Sequence, residues 1–291
     1  IASCLVGSEM CIRDSCSSGQ GDQCVPSATR YQVIEMSRVS LRTCAIAAVA
    51  AVSLAACGSG PSSPQPSAAP TRLTVFAAAS LTRSYEQIGE QFERKYPRVD
   101  VQFSFEGSQN LVAQMAQGAP ADVLATADQR SMNKAVEQNL VNVPRQFASN
   151  VLTLVTPAHN PARVTGLNSS LRGAKLVICA PEVPCGNATR KLANKLGVTL
   201  KPVSEEQKVT DVRGKVESGE ADAGIVYRTD ALAAGNKVDV IPIGRANEVV
   251  NHYPIATAVG ATHQGLAKRF VEYVMSADAQ KILSDDGFSG P

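Results

Sequence analysis

From about residue 72 onward, apolar positions along this chain switch repeatedly between a spacing of two and a spacing near 3.6. Leu73, Val75 and Phe76 read as a short buried strand, and Leu81, Tyr85, Ile88 and Phe92 then recur as one face of a helix. Residues 99–105 alternate as a half-buried strand, and a helix carrying Leu111, Val112 and Met115 follows and stops at Gly118. Strands are predicted at 122–125, 151–155, 175–180, 223–227, 238–243 and 253–259. Helices are predicted at 129–138, around Leu192 and Leu196 up to Gly197, after Asp211, and over the final stretch with Leu266, Phe270, Val274, Ile282 and Leu283. Repeated β-α-β units of this kind predict an α/β protein with mixed sheets flanked by helices. Ligands of such sheets bind at the carboxyl ends of strands.

The stretch before residue 72 has a different character. Met36, the basic residues Arg38 and Arg42, and a small apolar run from 44 to 56 read as an export signal, too short to span a bilayer. Its end, Leu54-Ala55-Ala56-Cys57, resembles a lipobox, which makes Cys57 the expected lipidation site over a signal at 36–57. Residues 58–71 are Ser-, Pro- and Ala-rich and carry no charge, so they are expected to act as a tether. Residues 1–35 lack a starting Met, carry four of the eight cysteines and show no usable periodicity. They are expected to be a non-native leader, with Met36 the true start.

Composition then narrows the classes. Residues 1–56 hold four basic and four acidic side chains, so setting them aside leaves the net charge at +2. That balance, with no basic helix face, argues against nucleic acid. The chain has no Trp, which weighs against a carbohydrate ligand. After Cys57 the remaining cysteines are Cys179 and Cys185, close enough for a disulfide in an oxidising compartment, two buried thiols being the alternative. Neither has neighbours at metal-ligand spacing, so no direct cation ligand and no cofactor is expected.

The candidate chemistry lies where strands run into helices. Ser80, in Phe76-Ala77-Ala78-Ala79-Ser80-Leu81, sits where an N-cap belongs, and Ser108 repeats the device after Gly107. Helix N-termini offer unpaired N–H donors and partial positive charge to an anion. Pro184-Cys185-Gly186-Asn187 has the same look, and Thr210 or Asp211 reads as the cap of another helix with the Val212 N–H among its free donors. Tyr227 ends a strand, from which its phenol could reach a cleft. Taken singly, each serine is also readable as a plain cap and Tyr227 as a core tyrosine. Together they describe a site of hydroxyls and N–H groups with no cation, suited to a fully deprotonated tetrahedral dianion whose every oxygen accepts.

The run Thr74-Val75-Phe76-Ala77-Ala78-Ala79-Ser80-Leu81, the turn Gly118-Ala119-Pro120-Ala121-Asp122, Asp211-Val212-Arg213-Gly214 and Gly224-Ile225-Val226-Tyr227 resemble the periplasmic molybdate-binding proteins of ABC transporters. The likeness covers residues 72–288. It implies a two-lobed periplasmic-binding-protein fold of type II, with a ligand cleft between lobes and two chain crossings as hinge. One lobe would be 72–150 plus 255–291 and the other 151–254. It implies that molybdate, or tungstate, is held by Ser80 and Ser108 through side chain and N–H, by the N–H groups of Cys185 and Val212, and by the Tyr227 hydroxyl. Better-known members carry a small residue where this chain has Cys185. The implied protein is a monomeric, lipid-anchored, extracytoplasmic binding protein that delivers molybdenum as an oxyanion to a membrane permease and catalyses nothing.

Three rivals are weaker. A serine hydrolase would need an elbow motif and a base, but no Gly-x-Ser-x-Gly is present and His159, His252 and His263 lie in no recognisable motif. Binding of sulfate or phosphate instead of molybdate would keep the fold. Sulfate is smaller, and phosphate usually keeps a proton that calls for a carboxylate acceptor. A ligand-sensing regulator is opposed by the export signal and the lack of a DNA-binding segment.

Overall fold

The computed structural model describes residues 69–291. The expected leader, the signal with Cys57 and most of the tether lie outside the described residues. Thr71, placed in the tether by the sequence pattern, is the first residue of a strand.

The chain runs β1 (Thr71–Ala78), α1 (Thr82–Lys95), β2 (Val99–Glu106), α2 (Ser108–Ala116), β3 (Val123–Ala125), α3 (Gln129–Glu137), β4 (Arg145–Asn150) and β5 (Leu152–Pro157). It continues through β6 (Leu176–Cys179), α4 (Pro184–Leu196), β7 (Ser204–Glu206), α5 (Val209–Glu217), β8 (Ala223–Tyr227), α6 (Arg228–Ala234), β9 (Val238–Ile241), β10 (Asn251–Thr257), α7 (Gln264–Val274) and α8 (Ala277–Asp285). Two five-stranded mixed sheets result, ordered β2-β1-β3-β10-β4 and β7-β6-β8-β5-β9. In the first, β1 pairs in parallel with β2 and β3, and β10 runs antiparallel between β3 and β4. The second repeats the scheme, with β6 parallel to β7 and β8, and β5 antiparallel between β8 and β9. The two-lobed arrangement is therefore the one the resemblance implies.

Strand alternation explains how the first sheet is covered on both sides. Leu73, Val75 and Ala77 point into one core cluster with Tyr85, Phe92, Phe147 and Phe270, whereas Phe76 joins Leu111, Val112, Met115 and Met132 in another. Sheets buried on both faces read as near-continuous apolar runs, as β1 does. In the second lobe, Val212 and Val216 of α5 close over Gly224 of β8.

The chain crosses between lobes twice. Val151 alone separates β4 from β5, and residues 242–250 lead from β9 back to β10. The second boundary corrects the expected 254/255 limit: Asn251–Tyr253 already pair with β4 of the first sheet. The lobes are shut on one another. Gln109 Nε2 donates to the Gln207 carbonyl at 2.9 Å, Arg130 donates to the Glu182 carbonyl, and Asn150 Nδ2 donates to Thr229 Oγ1 at 2.9 Å.

Gly186 shows how tightly the cleft wall is built. It is a helical residue in the first turn of α4, not the turn glycine the sequence suggests. A Cβ there would lie 1.9 Å from the Ala180 carbonyl oxygen and 2.5 Å from that of Cys179. Gly186→Ala is expected to lower the thermal midpoint by roughly 5 °C through overpacking. A scan of the unliganded variant that matches the parent would mean that the wall yields freely.

Candidate functional site

Helix starts set the site, and their positions differ by a residue or two from the sequence reading. Ser80 is not an N-cap: it lies inside a short 3-10 turn, Ala79–Leu81, and α1 begins after it at Thr82. Ser108 is the first residue of α2, with Gly107 in the capping position. Neither hydroxyl is consumed by capping. Cys185 is the second residue of α4, and Lys208, not Thr210 or Asp211, caps α5. Of the first four N–H groups at that terminus, that of Asp211 bonds the Lys208 carbonyl at 3.2 Å, which leaves those of Lys208, Val209 and Thr210 without a partner in the helix. Val212 lies beyond them.

Four of the five expected residues come together. Ser80, Ser108, Cys185 and Tyr227 line one small pocket between the lobes, along with Ala79, Gly107, Ala127, Pro184 and Val209. Val212 does not line it. Its side chain packs on Gly224 in the core, and Val209, one turn earlier in the same helix, lines the pocket instead. The sequence signal for Val209 was available: a residue directly after the capping position is the better donor once the cap is assigned one turn-step earlier. The pocket measures about 10 Å³. Free space of that size is on the scale of a single water, so in the shut state the pocket suits a compact ion.

Each pocket hydroxyl is held from behind. The Ala127 N–H donates to Ser108 Oγ at 3.0 Å. Asn251 Nδ2 donates to the Tyr227 hydroxyl at 2.9 Å and to the Ala127 carbonyl at 2.9 Å. Ser80 Oγ lies 3.0 Å from the Tyr253 hydroxyl, and with Tyr253 as donor Ser80 keeps its own proton. A hydroxyl that accepts from one side has its O–H left to donate on the other. Burial raises the pKa of both Tyr227 and Tyr253 far above the ordinary phenol value, so both stay protonated donors. Tyr253 and Asn251 are site-supporting residues that the sequence reading missed, because their role depends on contacts across 173 and 24 positions.

Cys179 and Cys185 form a disulfide, with Cα atoms 5.8 Å apart. With Sγ bonded to Cys179, position 185 presents its main chain to the pocket, as a small residue would.

One expectation needs correction. The lining contains charges: Glu106 and Lys208, whose carboxylate and ammonium pair across the cleft at 3.3 Å. The pair is neutral as a unit. A further charge lies behind Ser80. Asp230 is buried on α6, its Oδ2 has no hydrogen-bond partner, and Arg213 is 3.9 Å away. Burial pushes its pKa up to about 7, against the opposing pull of Arg213.

Residues 73–289 match the family model for bacterial extracellular solute-binding proteins. The molybdate-binding protein ModA of Mycobacterium tuberculosis is 42% identical over 262 residues, 88% of this chain and 100% of that protein. Among solved structures, the periplasmic molybdate-binding protein of Azotobacter vinelandii superposes with a TM-score of 0.67 at 23% identity, over 75% of this chain and 99% of that one. The sulfate-binding protein SubI of Mycobacterium tuberculosis superposes with a TM-score of 0.62 at 22% identity, over 76% and 87%. At these identities the two superpositions speak for the fold alone.

Asp230 gives the site a measurable pH signature. Its folded pKa of about 7 exceeds the unfolded carboxylate value, so the folded state holds the proton more tightly. Stability from this group therefore grows as pH falls from 7 toward 4 and is absent above 7. Thermal midpoints at pH 5 and pH 7 are expected to differ less in Asp230→Asn than in the parent. Identical pH responses of the two proteins would contradict the assignment.

Proposed function

The chain belongs to the bacterial extracellular solute-binding protein family, and we propose that within it this protein captures molybdate outside the cytoplasm and delivers it to an ABC-type permease. The observation that carries this reading is the donor set of the closed pocket. Ser80, Ser108 and Tyr227 line it together with residues at the starts of α2, α4 and α5, and the donors this lining would offer are their hydroxyls and helix-start N–H groups. A fully deprotonated tetrahedral dianion matches such a set, since every oxygen it presents accepts. Charge-assisted hydrogen bonds contribute roughly 1.5–3 kcal/mol each, so a handful suffices for tight binding once desolvation is offset.

Ser80 and Ser108 belong to the first lobe, and Cys185, Val209 and Tyr227 to the second. A ligand that bridges them favours the closed state by its differential affinity for the two. Lipidation of Cys57, with residues 58–70 as tether, would hold the domain beside its permease; the disulfide on the cleft wall suits the same oxidising compartment. Tungstate, nearly isosteric with molybdate, should occupy the same site. Sulfate would fit loosely. Phosphate is favoured by one observation, the carboxylate of Glu106 in the lining, but Lys208 already engages that group.

Thermal unfolding with each anion tests the reading. Ligand at a thousand times its dissociation constant adds about 4 kcal/mol, which for a chain of this size raises the midpoint on the order of 10 °C. Molybdate and tungstate are expected to give that shift and sulfate and phosphate little. A shift with phosphate or sulfate alone overturns the ligand, and no shift with any anion overturns the site. Ser80→Ala and Ser108→Ala are each expected to weaken molybdate binding by at least about tenfold, and also to lower the unliganded midpoint by a few degrees, because the Tyr253 hydroxyl or the Ala127 N–H loses its partner. Calorimetric titration showing parental affinity would remove that serine from the site.

A further inference from the structure

The Glu106–Lys208 pair stands out because it places a carboxylate where an anion is to be held. Glu106 is the last residue of β2, two positions before Ser108, and belongs to the lobe that carries both serines. Lys208 caps α5 in the other lobe, one position before Val209. Both line the pocket, they meet at 3.3 Å, and both are about one-third exposed at its mouth. The backbones are equally close here: a Cβ on Gly107 would lie 2.3 Å from the Gln207 carbonyl oxygen, and Gln109 Nε2 bonds that same oxygen at 2.9 Å. The neighbouring acid Glu206 is tied to Lys215 at 2.6 Å and lies outside the lining. Thus, among the described residues of the lining, Lys208 is the one cation and Glu106 the one carboxylate. They can meet only while the lobes are shut.

We propose that the Glu106–Lys208 pair is a charge-gated release device for the bound oxyanion. This rests on the oxyanion reading of the pocket and deepens it. In the closed state Lys208 neutralises Glu106, so the pocket carries no net side-chain charge and its donors set the affinity. When the lobes part, the ammonium leaves with the second lobe and the bared carboxylate remains beside Ser108. A dianion still resting on the first lobe then lies beside a like charge that no cation offsets, and the two repel, though less than they would in a closed site. The half-open complex is thereby destabilised relative to the closed one. That difference sharpens closure on binding and clears the ligand on opening. Glu106 and Lys208 are positioning residues here, acting on the anion through its electrostatic surroundings.

A charge cycle on the whole protein tests this, with molybdate titrated calorimetrically into the parent, Lys208→Gln, Glu106→Gln and the double variant. Lys208→Gln is expected to weaken binding by at least about tenfold, since the carboxylate is then uncompensated even in the closed state. Glu106→Gln is expected to change affinity in the opposite direction, tightening it by about threefold. The double variant should return to near the parental value, and Lys208→Arg should bind like the parent. The Lys208→Gln loss should shrink as salt rises from 0.05 to 0.5 M, concentrations over which screening grows. A merely structural clasp would make both single substitutions weaken binding alike, with no recovery in the double variant, and that result overturns the proposal. A parent protein that binds no molybdate, tungstate, sulfate or phosphate would instead overturn the reading on which it rests. Unliganded melting of each variant separates loss of charge from loss of fold.

Discussion

The site depends on a constraint that is easy to miss in a list of contacts: a hydroxyl whose lone pair is engaged from behind has its own O–H left to aim forward. Asn251 and the peptide of Ala127 meet that condition for both lobes at once. The Asn251 amide donates to the Tyr227 phenol of the second lobe and to the Ala127 carbonyl of the first, and the Ala127 N–H donates to Ser108. Tyr253 stands in the same relation to Ser80. Asn251 and Tyr253 are neighbours on β10, the strand that re-enters the first sheet after the second crossing. The return crossing is thus more than a hinge. It lays down the two side chains that orient hydroxyls in the closed cleft.

Burial does the rest. Tyr253 sits among Phe147, Phe288 and Tyr227, in edge-on or steeply tilted contact with each. Aromatic surroundings that desolvate a phenol hold it neutral, which is the state that donates. The same apolar shell explains why Asp230 is costly there. With one carboxylate oxygen unpartnered and its pKa near neutrality, it is a place near the cleft where packing and polarity are in open conflict. The pocket itself avoids that conflict by using neutral donors and a charge pair at its edge.

Much of this was legible in the sequence, and the misses have physical reasons. The strand at Ala223–Tyr227 is strongly patterned and falls as expected, while the first strand-to-helix junction is found in the right place but with a 3-10 turn over Ala79–Leu81 where the pattern makes Ser80 the cap. Strand β4, Arg145–Asn150, escaped because it begins with exposed polar residues and is joined to β5 through the single residue Val151, so the two read as one. Strand β7, Ser-Glu-Glu, is a polar edge with no apolar alternation to detect. Helix α6 has seven residues and starts directly from β8, leaving no loop signal. The shift from Val212 to Val209 came from assigning the cap to Thr210 or Asp211, good capping types, where Lys208 caps by backbone position alone. Propensity chose the residue type, and tertiary packing of Val212 and Val216 on Gly224 chose the helix phase.

The charges in the lining could not have been read in advance, since Glu106 and Lys208 are 102 positions apart and look like ordinary surface residues in a near-neutral chain. Their juxtaposition is a property of closure. A pocket built only from neutral donors already favours the shut state, because opening takes one lobe's donors away from the anion, but it adds no term that opposes the anion left on the other lobe. Adding one charge to each lobe changes this. The attraction between them is realised only on closure, and the repulsion between carboxylate and anion only on opening. Both act in the same direction, toward a ligand held firmly in one state and poorly in the other. A binding protein must capture from dilute solution and still let go on its permease, and such a pair separates the two requirements, because the donors set how tightly the shut form holds and the pair sets how completely the open form releases.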